Sequence, residues 1–311
     1  MKRVLITGVT GLVGDGICRY FLRNNWEVFG TSRRVLESNN SKFYPLKFDL
    51  ESTVDLNVLS KHSPYRAVIH NAAKLPKHSE PGKDSDSYYG CNVKGTKHLL
   101  EWVEESAIDT FIYISSMGVI NSNNAVKTEK SALSPKPNHY HVSKAMGELL
   151  CEMYGAQGSF RTVILRISAP YGYTGTHASV IPKFVERARS NKDIELWGNG
   201  SRSQVFTFVE DIGHACRLAI EKSAVSGVYN IAGKESISMK GLAEKVLDTF
   251  PNSRSRIIFS EVKDPEEGKV QRISIAKAIR ELGFEPKFNL LTGLNKVAED
   301  PDEPLWQLKV S

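Results

Sequence analysis

Val4-Leu5-Ile6-Thr7-Gly8-Val9-Thr10-Gly11-Leu12-Val13-Gly14 decides how this 311-residue chain folds. Val4, Leu5 and Ile6 form a short continuous apolar run, suited to a strand buried on both faces of a parallel sheet. Three glycines follow at a spacing of three, and Leu12, Val13, Ile17, Phe21 and Leu22 then fall on one helical stripe. Strand, glycine turn and helix together predict a phosphate cradle. Gly8 permits the sharp turn, Gly11 lets a pyrophosphate approach the backbone, and Gly14 lets the helix pack close to the sheet. The helix start, with Thr10, Leu12 and Val13 around it, offers N–H groups and a partial positive charge to an anion. The competing reading is a tight strand-to-helix turn that holds no ligand.

The length suits a nucleotide domain plus a smaller second unit. Hydrophobic residues at 41% and charged residues at 24% are those of a globular protein. The first strand begins so early that a signal peptide is not expected, no apolar run approaches membrane-spanning length, and a cytoplasmic location follows as the expectation. Cys18, Cys91, Cys151 and Cys216 are scattered, which argues against disulfides and metal sites. The net charge of +6 is spread along the chain, so it does not argue for nucleic acid.

Strands are predicted at residues 27–31, 42–48, 67–70, 110–114 and 162–165, and helices at 53–61, 87–105 and 140–154. That alternation gives an α/β, Rossmann-like, doubly wound parallel sheet. Beyond Arg166 the pattern loosens. Helices at 180–190, 212–222, 239–247 and 275–282 alternate with short strands near 194–197, 205–209 and 228–231. The expected division is a nucleotide-binding domain of residues 1–165 with about 204–231, and a smaller mixed substrate domain of 166–203 and 232–311, with the cleft between them.

Tyr140-His141-Val142-Ser143-Lys144 carries the chemistry. Four residues apart on a helix, Tyr140 and Lys144 lie one turn apart on one face. An ammonium beside a phenol stabilises the phenolate and is expected to lower its pKa toward neutrality. Such a tyrosine exchanges a proton with a carbinol oxygen while hydride moves to or from a nicotinamide. Of the eleven tyrosines, Tyr140 alone has a lysine four residues later. Ser115 and Ser116 close the strand at 110–114, where a hydroxyl points into the expected cleft and can hold the substrate oxygen.

With these motifs in place, the chain resembles an extended short-chain dehydrogenase/reductase of the NAD-dependent epimerase/dehydratase group along nearly its whole length. Thr7-Gly8-x-x-Gly11-x-x-Gly14 resembles the family's nucleotide motif, Asp49-Leu50 its adenine contact, Asn71-Ala72-Ala73 the segment along the cofactor, and Asn92 the family's asparagine helix. Tyr140 and Lys144 fit its catalytic pair, and the register of the preceding strand puts the catalytic hydroxyl on Ser116. Arg166 with Tyr171-Gly172, residues 198–211, Tyr229-Asn230-Ile231 and residues 277–286 complete the match. The resemblance implies a Rossmann-like fold, a sugar or sugar-nucleotide substrate, and a homodimer through the two helices near Lys94 and Tyr140.

Departures from the family pattern narrow the expectation. After the second strand stand Arg33 and Arg34, which suit a ribose 2′-phosphate, so NADP is favoured and NAD is the runner-up. Ser116 is followed by Met117-Gly118 where the family's sugar 4,6-dehydratases carry an acid pair, which disfavours dehydration. Gln204 stands where an arginine toward the substrate diphosphate is common, and Ala169 where an asparagine is common; Arg202 or Arg272 is a candidate to supply the missing charge. With Met117 these are the candidate substrate residues, while His177, Lys183 and Arg187 read as solvated surface residues. The leading expectation is an NADP(H)-dependent reductase of a sugar keto group. The alternatives are a nucleotide-sugar 4-epimerase, which uses the same Ser116, Tyr140 and Lys144, and a non-catalytic nucleotide sensor or scaffold on the same fold.

Overall fold

The computed structural model describes residues 2–51, 56–76, 85–121, 125–173, 179–299 and 305–308. Seven strands build the central sheet: β1 (Arg3–Thr7), β2 (Glu27–Ser32), β3 (Phe43–Lys47), β4 (Ala67–His70), β5 (Thr110–Ser116), β6 (Arg161–Ile167) and β7 (Gly227–Ile231). They run parallel in the order β7-β6-β5-β4-β1-β2-β3. The chain therefore winds outward from β1 in both directions. The carboxyl ends of β1 and β4, side by side with Thr7 opposite His70, flank the point where the winding reverses.

Seven helices are named here: α1 (Leu12–Arg23), α2 (Gly95–Glu104), α3 (His139–Gln157), α4 (Val180–Arg189), α5 (Val209–Glu221), α6 (Met239–Thr249) and α7 (Leu290–Ala298). Side-chain alternation along each strand makes two cores. Val4 and Ile6 face one side, where Ile17 and Phe21 of α1 and Ile212 and Ala219 of α5 cover them. Leu5 and Val68 face the other, under Leu99 and Val103 of α2 and Cys151 and Tyr154 of α3. Each aliphatic side chain so buried contributes roughly 1.5–3 kcal/mol. A third core gathers Tyr171, Phe184, Phe208, Leu242 and Leu294 from the part of the chain beyond β6.

Short two-stranded pairings, separate from the seven-stranded sheet, organise this part. Pro170–Tyr171 pairs with Thr207–Phe208, and Ser203–Val205 pairs antiparallel with Ser236–Ser238. The single strand predicted near 205–209 is thus two short ones, because the same run serves two edges of opposite direction. Val126–Lys127 pairs with Arg272–Ile273, bringing a late segment back beside the end of β5.

Three predicted helices come out differently. The segment 87–105 is a short helix Ser85–Tyr89, a π-helical turn Gly90–Lys94 and then α2. The segment 275–282 is a π-helical turn at Ala278–Leu282. The helix at 53–61 is Asn57–Ser60, with residues 53–55 outside the described ones. Among the described residues no helix is long and apolar enough to cross a membrane, and no cluster of His, Cys, Asp and Glu could hold a metal ion.

Candidate active site

One cavity of about 1210 Å³ opens beyond the carboxyl ends of β1, β2, β4 and β5 and extends to Trp197 and Gln204. Its floor is the glycine turn. Gly8 has φ +72°, and a Cβ there would stand 2.7 Å from the Ala72 Cα. A Cβ on Gly14 would meet the Gly8 carbonyl oxygen at 2.2 Å, so only glycine lets α1 begin this close to the turn. Gly11 differs: a Cβ would find only the Gly8 oxygen, at 3.6 Å, so its open side faces the cavity. A cradle with open backbone at the start of a helix fits the pyrophosphate of a dinucleotide. Asp49, Leu50, Asn71, Ala72 and Ala73 continue the same wall.

A directional chain of hydrogen bonds braces this wall from behind. The Thr7 hydroxyl oxygen accepts the Asn71 and Ala72 N–H groups at 3.1 and 2.9 Å, which leaves its own proton to the His70 Nδ1 at 2.8 Å. His70 Nε2–H then donates to Thr96 Oγ1 at 2.9 Å, and Thr96 donates to the Asn92 carbonyl at 2.7 Å. The ring is neutral in this arrangement. Burial first, and the Lys144 charge second, hold its pKa down at about 3. Asn92, in the π-helical turn, clasps the Lys74 backbone in both directions at 2.7 and 3.2 Å and donates to Ser143 Oγ at 2.9 Å. One amide thus joins the cofactor-side wall to the helix that carries Tyr140.

That helix, α3, starts at Asn138, whose side chain accepts the His141 N–H at 2.9 Å. Ser116 ends β5 in the cavity wall beside Tyr140 and Lys144, and its Oγ accepts the Gly118 N–H at 3.1 Å. Its neighbour Ser115 is committed elsewhere, donating to Glu148 of α3. Glu148 also receives two nitrogens of Arg166 from β6, at 3.0 and 2.7 Å, in a fully buried fork. Lys144 is 3% exposed, with its ammonium 3.9 Å from the centre of the Tyr113 ring.

The electrostatics correct one expectation. Burial pushes the Tyr140 phenol up to about 12. Burial likewise lowers Lys144 to about 8. The Lys144 charge bears on the Tyr113 face and on His70, and the four-residue spacing brings Tyr140 and Lys144 to one cavity without lowering the phenol.

The family model described as NAD dependent epimerase/dehydratase matches residues 4–232. The chain belongs to this family. Among its relatives is the low-salt glycan biosynthesis protein Agl12 of Haloferax volcanii, 28% identical over 94% of this chain and 96% of that one. Another is an uncharacterised UDP-glucose epimerase, YtcB, of Bacillus subtilis, 26% identical over 95% and 97%. The UDP-glucuronic acid 4-epimerase of Bacillus cereus, solved with UDP-glucuronic acid and NAD, superposes with a TM-score of 0.83 at 26% identity, over 96% of this chain and 98% of that one. The chain is thus an oxidoreductase of the epimerase/dehydratase type.

Within the family frame, most predicted residues meet in the cavity: Gly8, Thr10, Gly11, Leu12, Val13, Arg33, Asp49, Leu50, Asn71, Ala72, Ala73, Ser116, Met117, Tyr140, Lys144, Arg202 and Gln204 all line it. Four do not. Gly14 works through close packing, Asn92 braces from behind, Arg34 is exposed off the wall, and Arg272 is turned out on the Val126–Lys127 pairing, with Gln271 lining the cavity in its place. Arg202 is ion-paired to Asp264 at 2.9 Å, so its charge is already engaged. Lys183 lines the cavity, Arg187 bonds the Asp193 carbonyl on the exposed face of α4, and His177 lies outside the described residues. Sequence reasoning missed Glu148, Lys127 and His141. Glu148 had a readable signal, since it lies one turn beyond Lys144 on the same helix face.

Proposed function

We propose that the protein is a nucleotide-sugar epimerase that oxidises one ring carbinol, at C4, and reduces it again from the other face. The observation that carries this reading is the convergence of Ser116, Tyr140 and Lys144 on one wall of a cavity whose far end is the glycine cradle. Tyr140 takes the carbinol proton and later returns it. Ser116 holds the same oxygen by a hydrogen bond. Lys144, lining the same cavity, supplies positive charge on the nicotinamide side. A bound nicotinamide supplies the hydride acceptor and, when oxidised, a cationic ring that favours the phenolate. The UDP-sugar epimerases among the relatives support the C4 assignment.

Dehydration fits less well. Met117 is buried and apolar, and the space for any side chain at Gly118 is filled by the His141 ring, whose Nε2 stands 2.0 Å from a Cβ built there. The protein has no acid or base beside Ser116 at the positions the dehydratases use.

The second reading is NADP(H)-dependent reduction of a keto sugar, and Arg33 favours it. Arg33 lines the cavity just beyond Thr31 and Ser32 at the end of β2, where a ribose 2′-phosphate would lie. We take NADP as the preferred cofactor on this ground and NAD as the alternative. We also infer a homodimer: Met146, Leu149 and Met153 leave an apolar stripe 39–54% exposed on α3. The two-unit division of the chain stays as proposed from the sequence.

The test is to incubate purified protein with UDP-glucose, UDP-N-acetylglucosamine and UDP-glucuronic acid, with NAD or NADP, and follow the C4 epimers by proton NMR. Interconversion without net cofactor consumption supports the epimerase. Stoichiometric oxidation of NADPH by a nucleotide 4-keto sugar, with no epimer formed, overturns it in favour of the reductase. Full cellular function of Tyr140→Phe would point instead to a non-catalytic sensor.

A further inference from the structure

Next to Ser116 and Tyr140 the cavity turns a corner walled by Lys127, Lys136 and His141. Lys127 is only 7% exposed, held in place by the pairing of its strand with Arg272–Ile273. Its ammonium donates to the Met117 carbonyl at 3.4 Å and to that of Ile120. Two of its three protons are thereby used. Among the described residues no carboxylate forms an ion pair with it.

The neighbouring carboxylates are committed. Glu266 stands 3.1 Å from Lys136, and it also faces Arg202 at 3.6 Å and Lys269 at 3.9 Å, so one carboxylate serves three cations. Asp264 is taken by Arg202 at 2.9 Å, and Glu129 accepts the Asn230 N–H at 2.9 Å. Glu195, the other carboxylate of this half of the cavity, sits on the exposed side of its short strand.

His141 completes the corner. Its ring lies 5.0 Å from that of Tyr140 and against Gly118, and its Nδ1 is buried with no hydrogen-bond partner among the described residues. Burial, then the Lys136 charge, lowers the pKa of Lys127, and burial with Lys136 and Lys127 holds His141 at about 4. Lys127 is thus a buried cation beside a second one, and an anion placed in this wall would favour its charged form.

We propose that Lys127, Lys136 and His141 form a subsite for a carboxylate carried on the sugar ring beside the reacting carbon, so that the substrate is a nucleotide-linked uronic-type sugar. The proposal rests on the reading that a sugar carbinol reacts at Tyr140. The position of the corner selects a ring substituent over the nucleotide diphosphate. Lys127 bonds the carbonyl of the residue that follows Ser116, and His141 follows Tyr140, so the anion sits against the reacting carbinol rather than a diphosphate's length away. A planar carboxylate has two oxygens to share between an ammonium and an imidazole.

The experiment is calorimetric titration of the cofactor-loaded protein with UDP-glucuronic acid and with UDP-glucose, in the wild type and in Lys127→Met, Lys127→Gln and Lys136→Ala, with the fold of each checked by circular dichroism. The wild type is expected to bind the uronate at least about tenfold more tightly, and each variant to bring the ratio of the two affinities toward one. Equal affinities in the wild type, or an equal loss for both ligands in Lys127→Met and Lys127→Gln, overturn the subsite. Epimer formation is followed in parallel. A wild type that prefers the uronate and forms no epimer keeps the subsite and overturns the epimerase reading.

Discussion

Arg166 grips Glu148 through Nε at 3.0 Å and Nη2 at 2.7 Å, with the two residues 3% and 0% exposed. The fork joins the carboxyl end of β6 to α3 one turn beyond Lys144, and Ser115 adds a third donor from β5. Removing one partner leaves the other charge buried alone. Glu148→Gln and Arg166→Met are each expected to lose about 3–5 kcal/mol of stability, measured by urea unfolding. A loss below about 1 kcal/mol for both would mean the fork is structurally idle.

Tyr140→Phe removes the proton carrier and leaves the cavity intact. Turnover should fall about 10²–10⁴-fold while cofactor affinity changes little. Ser116→Ala, which removes one hydrogen bond to the substrate oxygen, should cost less. Single-turnover measurement with bound cofactor separates the two; a larger loss from Ser116→Ala would reverse the roles assigned.

Arg33→Glu replaces a cation at the ribose end of the cavity by an anion. NADP affinity should fall by about tenfold or more, with NAD affected less, in a fluorescence titration of the reduced cofactors. Arg34→Ala should change the preference little, since Arg34 lies off the wall. No change in preference on Arg33→Glu would remove the argument for NADP.

His70 gives stability a pH dependence. The unfolded chain protonates this residue below its ordinary value of 6.5, whereas the folded protein resists until about 3. The unfolded state therefore binds the extra proton throughout that window. Stability from this residue is complete above pH 6.5 and is lost as pH falls toward 3, at about 1.4 kcal/mol per pH unit. His70→Gln should flatten the stability profile between pH 6.5 and 5 in equilibrium unfolding; an unchanged slope would place the proton uptake elsewhere.

The stripe of Met146, Leu149 and Met153 predicts self-association. Leu149→Glu should shift the molar mass in light scattering from that of a dimer to that of a monomer. A wild type already monomeric at micromolar concentration would refute the dimer.

Much of the nucleotide end was legible because its constraints are local. The apolar run at Val4–Ile6, three glycines in register and a helical stripe leave one arrangement that satisfies them all. Tyr140 and Lys144 were legible for the same reason, as neighbours on one helix. The raised phenol was not, because the elements that bury Tyr140 and the Tyr113 ring that faces Lys144 are distant in the chain. Lys127 and Gln271 reach the cavity only through the pairing of Val126–Lys127 with Arg272–Ile273, nearly 150 residues apart along the chain. No local pattern encodes that contact. The π-helical turn at Gly90–Lys94 was hidden too, since side-chain pattern does not announce which backbone carbonyl each N–H will choose.

The packing of His141 against Gly118 ties the two positions together. An acid introduced at 118 would meet the imidazole at about 2 Å, so the ring must move or position 141 must become small. The two positions are coupled: a smaller residue at 141 opens the space at 118, whereas a side chain placed at 118 first must push the imidazole out of its seat beside Tyr140.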